Sequence, residues 1–249
     1  MNDFGYYESL LKNFEKVNET QGENITAAAE LMSEAIKNDR LIHVYGGGGH
    51  TTLPVGEMFF RAGGLSCINP IMETGLSVFN QALKYLELER TVNYGSSIVK
   101  YYGLKKDDVL IIFHNIGINP ATIDAAMEAK KCGARIIAVS SSYWQEEMPE
   151  DHFIRHPNKT NLFDYADVKI DDFNPVGDAV VTVPGLETPI APVSNVIDFY
   201  IAHLLEIETV RLCIQKGVTP PVWSSANTPG GDEKNAAYLE KYKPRIKML

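Results

Sequence analysis

The chain has 249 residues, a formal net charge of −9 and 45% hydrophobic residues, with no dense Lys/Arg run. That balance argues against nucleic acid and anionic membrane surfaces as partners and leaves enough apolar side chains for a substantial core. Its three cysteines, Cys67, Cys132 and Cys213, are odd in number and far apart. They read as buried thiols of a reducing compartment rather than a disulfide framework or a zinc site.

Residues 3 to 20 place Phe4, Tyr7, Leu10, Leu11, Phe14 and Val17 at spacings of three and four, which predicts a helix with one apolar face. Residues 25 to 37 repeat the pattern. "RLIHVY" reads as a buried strand, and a helix is expected from Thr52, with threonine as cap and Pro54 in the first turn. "LSCINPI" is a second strand and 79 to 103 is mostly helical. "DDVLIIFHN" is a strand, "NPATIDAAMEAKKCG" a helix closed by Gly133, and "ARIIAVSSS" a strand. Residues 143 to 164 are polar and aperiodic, as in a long surface loop. "ADVKIDD" is a short strand and 193 to 216 the longest helix. The tail from 217 is turn-rich and ends in a short helix. Strands alternating with helices predict a parallel sheet covered on both faces. No linker interrupts the chain, so one domain spanning 1–249 is expected, with N-terminal helices at about 3–38 and a C-terminal extension at about 217–249. No signal peptide pattern precedes these elements, and no run reaches the ~18 apolar residues of a membrane span. A cytoplasmic location is expected.

Ligands of such folds sit at the carboxyl ends of the strands. The turn "GGGGHTT" after "LIHVY" lies at that edge. Glycines allow close backbone approach, and a helix N-terminus offers free N–H groups to an anion. A dinucleotide fingerprint, G-x-G-x-x-G, fails at its last position, where Thr51 or Thr52 stands. The pattern present is Gly47, Gly49 and Thr51, which suits one compact phosphate beside Gly48 and Thr52. A tight turn without a ligand is the plain alternative.

This G-x-G-x-[ST] turn, followed by "DDVLIIFHNIGINPATIDAAMEAKKCGARIIAVSSS", resembles the sugar isomerase (SIS) domain. "GHTTLPVGEMFFRAGGL", "NPVGDAV", "PIAPVSN" and "GVTPPVWSSANTPGGDEKN" are similar to a group of stand-alone SIS proteins related to phosphoheptose isomerase. The resemblance implies a five-stranded parallel sheet between helices, a flavodoxin/Rossmann-like three-layer α/β/α fold, in a homodimer or homotetramer with sites at subunit contacts. It implies a small-molecule sugar or sugar phosphate as ligand. The family's second motif, S-x-S-G-x-T, here reads His114-Asn115-Ile116-Gly117-Ile118-Asn119. Its phosphate-binding hydroxyls are replaced, leaving Thr51, Asn115, Asn119, Thr122 and the amides around Gly117. A non-phosphorylated sugar is therefore an alternative ligand.

Aldose–ketose isomerisation needs a base near C1 and C2 and a group that shuttles hydroxyl protons. Glu57, about five residues into the helix after the turn, would stand roughly 7 to 8 Å from the anion at 1.5 Å per residue. It is the candidate base; a solvated helix glutamate is the plain reading. His50, His114 and His203 are candidate acids or positioning groups. His203 lies on the apolar stripe of the long helix, where a core histidine is the plain reading, and the resemblance places a catalytic histidine on a late helix. Ser194 opens that helix as a cap or substrate contact, with Asn195 beside it, and Glu73 follows the second strand. No cofactor is expected. A divalent metal held by histidines and a glutamate lacks any H-x-x-x-H spacing in its support. The expected function is a sugar-phosphate isomerase. A lyase or etherase, or a non-catalytic phosphosugar-sensing module, are the alternatives.

Overall fold

The computed structural model describes residues 4–249; the first residue of the helix expected at 3 to 20 lies outside them. Two consecutive helices, α1 (Tyr6–Thr20) and α2 (Gly22–Lys37), precede strand β1 (Ile42–Gly46). The glycine turn then leads into α3 (Thr52–Met58) and β2 (Ile68–Ile71). Helices α4 (Ala82–Glu89) and α5 (Tyr94–Tyr102) separate β2 from β3 (Val109–Phe113). After α6 (Pro120–Lys131) and β4 (Arg135–Ser140) comes a short helix α7 (Ser142–Glu147) and then β5 (Val168–Asp171). A hairpin of β6 (Ala179–Val181) and β7 (Ile190–Pro192) introduces α8 (Ser194–Gln215), and α9 (Gly231–Tyr242) closes the chain.

The five strands β1 to β5 pair in parallel in the order β2-β1-β3-β4-β5. Side chains alternate across this sheet, as period two demands. Ile42, Val44, Ile111, Phe113, Ile137 and Val139 enter the core formed with α2, α3 and α8. Tyr45, Leu110, Ile112, Ile136 and Ala138 enter the opposite core with α5 and α6. Both faces are covered, so β1 and β3 are buried along their whole lengths and read as unbroken apolar runs. This is the expected three-layer fold. Tyr242 and Ile246, at and beyond the end of α9, are built into the first core.

Two features go beyond expectation. Residues 143–164 run along the surface as expected, but they begin with the short helix α7 and are anchored to the body by one buried arginine. Arg155, 8% exposed, donates to the carbonyls of Gln145, Met148 and Pro149 and to Asn161 Oδ1, and this fork ties the segment down. A single buried arginine leaves no periodic trace in a polar stretch. The hairpin β6–β7 leaves no signal in the sequence, because its strands are three residues each and only partly buried.

Candidate functional site

A cleft of about 250 Å³ opens at the carboxyl edge of the sheet. Gly48, Gly49, His50 and Thr51 line it from the turn after β1, and His114, Asn115 and Asn119 from the turn after β3. Ser194 contributes from the start of α8. Eight of the expected site residues therefore meet in one place. Tyr85, Glu89, Arg90, Trp144, Asn174 and Asp178 add to the wall, and none of these six is singled out by the sequence.

The glycine turn is closed on itself. Thr51 Oγ1 donates to the Gly48 carbonyl (2.7 Å) and accepts the Gly48 N–H (3.2 Å), while Thr52 Oγ1 donates to the Gly49 carbonyl (2.8 Å). The amide of Gly49 donates to Leu76, that of Thr51 to Gly48 and that of Thr52 to Gly49. The glycines here serve close packing. A Cβ on Gly48 would fall 2.3 Å from Glu89 Oε2, and one on Gly49, whose φ is +51°, would fall 2.8 Å from the Tyr85 ring. Gly47 is backed by Thr122 Oγ1 and the His114 ring.

The second turn is organised around His114. Its Nδ1 accepts the Gly117 N–H (2.9 Å), and burial pushes the imidazole down to about 4, so the ring is neutral at pH 7. Behind it, Asn115 Nδ2 donates to Asp172 Oδ2 (2.7 Å) and to Asp198 Oδ2 (3.0 Å). Both carboxyls are fully buried; burial and mutual repulsion raise Asp198 well above the usual range, and burial raises Asp172 to about 7. Asp178 caps α8, accepting from the Val193 and Ser194 amides and from Ser194 Oγ (2.8 Å).

Polar atoms in the wall lack well-placed protein partners. Among the described residues, Asn119 Oδ1 and Nδ2, Trp144 Nε1 and Asn174 Oδ1 are buried with no well-formed hydrogen bond, as is Thr122 Oγ1 behind Gly47. Glu89 is 7% exposed, and burial pushes its carboxyl up to about 7 against the opposing pull of Arg90 and of the neighbouring Asn119 amide.

Glu57 and His203 stand elsewhere. Glu57 Oε1 lies 3.1 Å from His203 Nε2 and 2.9 Å from Arg61 Nε, and His203 Nδ1 faces Glu206 Oε2 at 3.1 Å. These residues couple α3 to α8 and do not line the cleft. Glu73 accepts from the Gly75 amide and the Tyr94 hydroxyl. Among the described residues, no group of three His, Cys, Asp or Glu side chains is arranged to hold a metal ion. No helix there is long and apolar enough to cross a membrane. All three cysteines are free, with Cys67 and Cys213 buried.

Sheet order, the two turns at its carboxyl edge and the cleft between them define a SIS domain, and the SIS domain family model matches residues 5–141. The chain belongs to that family. A UPF0309 protein of Caldanaerobacter subterraneus subsp. tengcongensis is 36% identical over 247 residues, covering 98% of each chain. A UPF0309 protein of Thermoanaerobacter pseudethanolicus is 36% identical over 248 residues, again 98% of each. The structure of a phosphoheptose isomerase from Francisella tularensis superposes with a TM-score of 0.54 at 14% identity, over 83% of this chain and 95% of that one. At that identity the likeness is one of fold.

Proposed function

We propose that the cleft binds a sugar phosphate and that the protein interconverts its aldose and ketose forms. The observation that carries this reading is the set of unpartnered polar atoms on Asn119, Trp144 and Asn174 in the cleft wall. Leaving such an atom buried and unbonded costs about 1–3 kcal/mol. The set mixes donors with acceptors, and a sugar hydroxyl is both. Arg90, which lines the cleft, supplies a cationic donor for a phosphate. The phosphoheptose isomerase that shares the fold acts, by its name, on a sugar phosphate.

In this reading residues 1–249 form one cytoplasmic SIS domain that assembles with copies of itself. Glu57, with His203 beside it, is the base that moves the carbon-bound proton, and it reaches the cleft of a neighbouring protomer. His203 is 44% exposed at its side chain, so the pair is open to such a neighbour. A phosphosugar sensor is the second reading. The replacement of the second motif's hydroxyls by His114, Ile116 and Asn119 favours it.

The test is a thermal-shift panel of sugars and sugar phosphates, with NMR of each hit for product. Hits should stabilise the protein by mass action, and Asn119→Leu should abolish the shift. Product formation separates the enzyme from the sensor. No shift with any sugar or sugar phosphate would overturn both readings.

A further inference from the structure

Glu89 is a carboxyl that the fold buries without using. It ends α4 and is 7% exposed, yet among the described residues no ion pair forms on it. Its Oε2 packs against Gly48, with Tyr85 beside it over Gly49 and the Asn119 amide as its polar neighbour. It thus sits between the glycine turn and the Asn119 amide, facing the volume assigned to the sugar.

Arg90 is assigned to the phosphate, and the other acid–base candidates of the wall are engaged or exposed. His114 Nδ1 is occupied by the Gly117 amide, and its buried ring is neutral. Asp178 is bonded to Val193 and Ser194. His50 is exposed at the rim. Among the described residues of the wall, Glu89 combines burial, access to the cleft and a carboxyl that is held only by the neutral Asn119 amide and engaged in no ion pair.

We infer that Glu89 is a catalytic residue, the group that shuttles the hydroxyl proton between the two oxygens of the isomerising sugar. This rests on the isomerase reading above. As the base removes the proton from C2 of the open-chain aldose, neutral Glu89 donates its proton to the carbonyl oxygen on C1, and an enediol results. As the base returns its proton to C1, the Glu89 carboxylate takes the proton from the hydroxyl on C2, and the ketose forms. Glu89 begins and ends the cycle protonated, and no oxidant or reductant is required. Burial holds the carboxyl at about 7, so its neutral form is well populated at neutral pH.

Glu89→Gln keeps the size and the hydrogen bonding of the side chain but cannot exchange a proton. The probes are a panel of hexose and heptose phosphates that includes fructose 6-phosphate and sedoheptulose 7-phosphate. Thermal shift reads binding, and NMR reads turnover of the same compounds. The expected result is a retained ligand shift with turnover lowered by about 10² to 10⁴-fold. A variant that binds and turns over as the parent does would overturn this role while leaving the isomerase reading intact. A parent that neither binds nor converts any member of the panel overturns the isomerase reading, and the role with it. Should Glu89→Gln melt early, Glu89→Asp decides. It keeps the acid one methylene further back, so intermediate turnover with intact binding supports the shuttle, and parental turnover overturns it.

Discussion

Glu57 and His203, 146 residues apart in the chain, meet at 3.1 Å where α3 packs on α8. Arg61 holds the same Glu57 oxygen from the solvent side, and Glu206 holds the other imidazole nitrogen from the core side. The histidine is thereby oriented by a carboxylate, the usual arrangement for a proton-transfer imidazole.

If this pair moves the carbon-bound proton, Glu57→Gln should lower turnover by about 10² to 10⁴-fold. Melting temperature should barely move, because partly exposed ion pairs contribute about 0–1 kcal/mol. Ligand shift should persist, since the cleft wall is untouched. Solvent deuterium incorporation at the sugar carbon beside the carbonyl is the measurement. Equal exchange in parent and variant would remove Glu57 from the chemistry.

Gly48 and Gly49 should fail in different ways when changed to alanine. Gly49 has a φ of +51° and faces the Tyr85 ring, so Gly49→Ala should destabilise the fold by roughly 1–2 kcal/mol or more. Gly48 has no such backbone demand; its Cβ would strike the Glu89 carboxyl at 2.3 Å. Gly48→Ala should therefore push Glu89 into the cleft and reduce ligand stabilisation with little change in the melting temperature of the free protein. Paired melting curves with and without a bound sugar phosphate check this, and a normal ligand shift in Gly48→Ala would count against the location of the site.

The fold was legible because its signals are local and periodic. "LIHVY" and "DDVLIIFHN" are unbroken apolar runs flanked by helices, and their parallel burial follows from that pattern. The cleft was legible at its turns, where Gly48, Thr51, Asn115 and Asn119 carry composition cues. Its far wall was not. Glu89 ends an unremarkable helix, and Trp144 and Asn174 lie in polar stretches; tertiary packing alone brings them together. The closure of the glycine turn was equally hidden. Whether Thr51 offers its hydroxyl to a ligand or to the Gly48 carbonyl is set by turn geometry rather than residue type.

The N-terminal helix predicts assembly. Tyr6, Leu10 and Phe14 of α1 pack on the core, while Phe4, Tyr7 and Leu11 are 76%, 69% and 39% exposed. Large apolar side chains clustered in the open mark a contact surface, and a closed oligomer would cover them. Light scattering at micromolar concentration should give at least twice the 27.7 kDa of one chain. Tyr7→Glu with Leu11→Glu should lower that mass. A parent that runs as a single chain would contradict the prediction.

The paired aspartates behind the cleft predict an unusual dependence of stability on pH. Asp172 and Asp198 are fully buried and share the Asn115 amide, and both titrate above the ordinary carboxylate range, Asp172 at about 7. In the unfolded chain each aspartate would lose its proton near 3.9. Between these values the folded state binds more protons than the unfolded one, so stability falls as pH rises. The contribution is fully present below the unfolded value and is lost as pH climbs through about 7. This runs opposite to the salt-bridged surface carboxylates Asp39 and Glu34, whose partners hold them low and whose contribution is lost as pH falls. Asp172→Asn keeps one acceptor oxygen, for either Asn115 Nδ2 or the Asn174 amide, and removes one buried titration. Chemical denaturation at steps from pH 4 to pH 8 should then show the parent losing stability toward pH 8 and the variant losing distinctly less. Parallel curves for the two proteins would mean that the proton is not held by this pair.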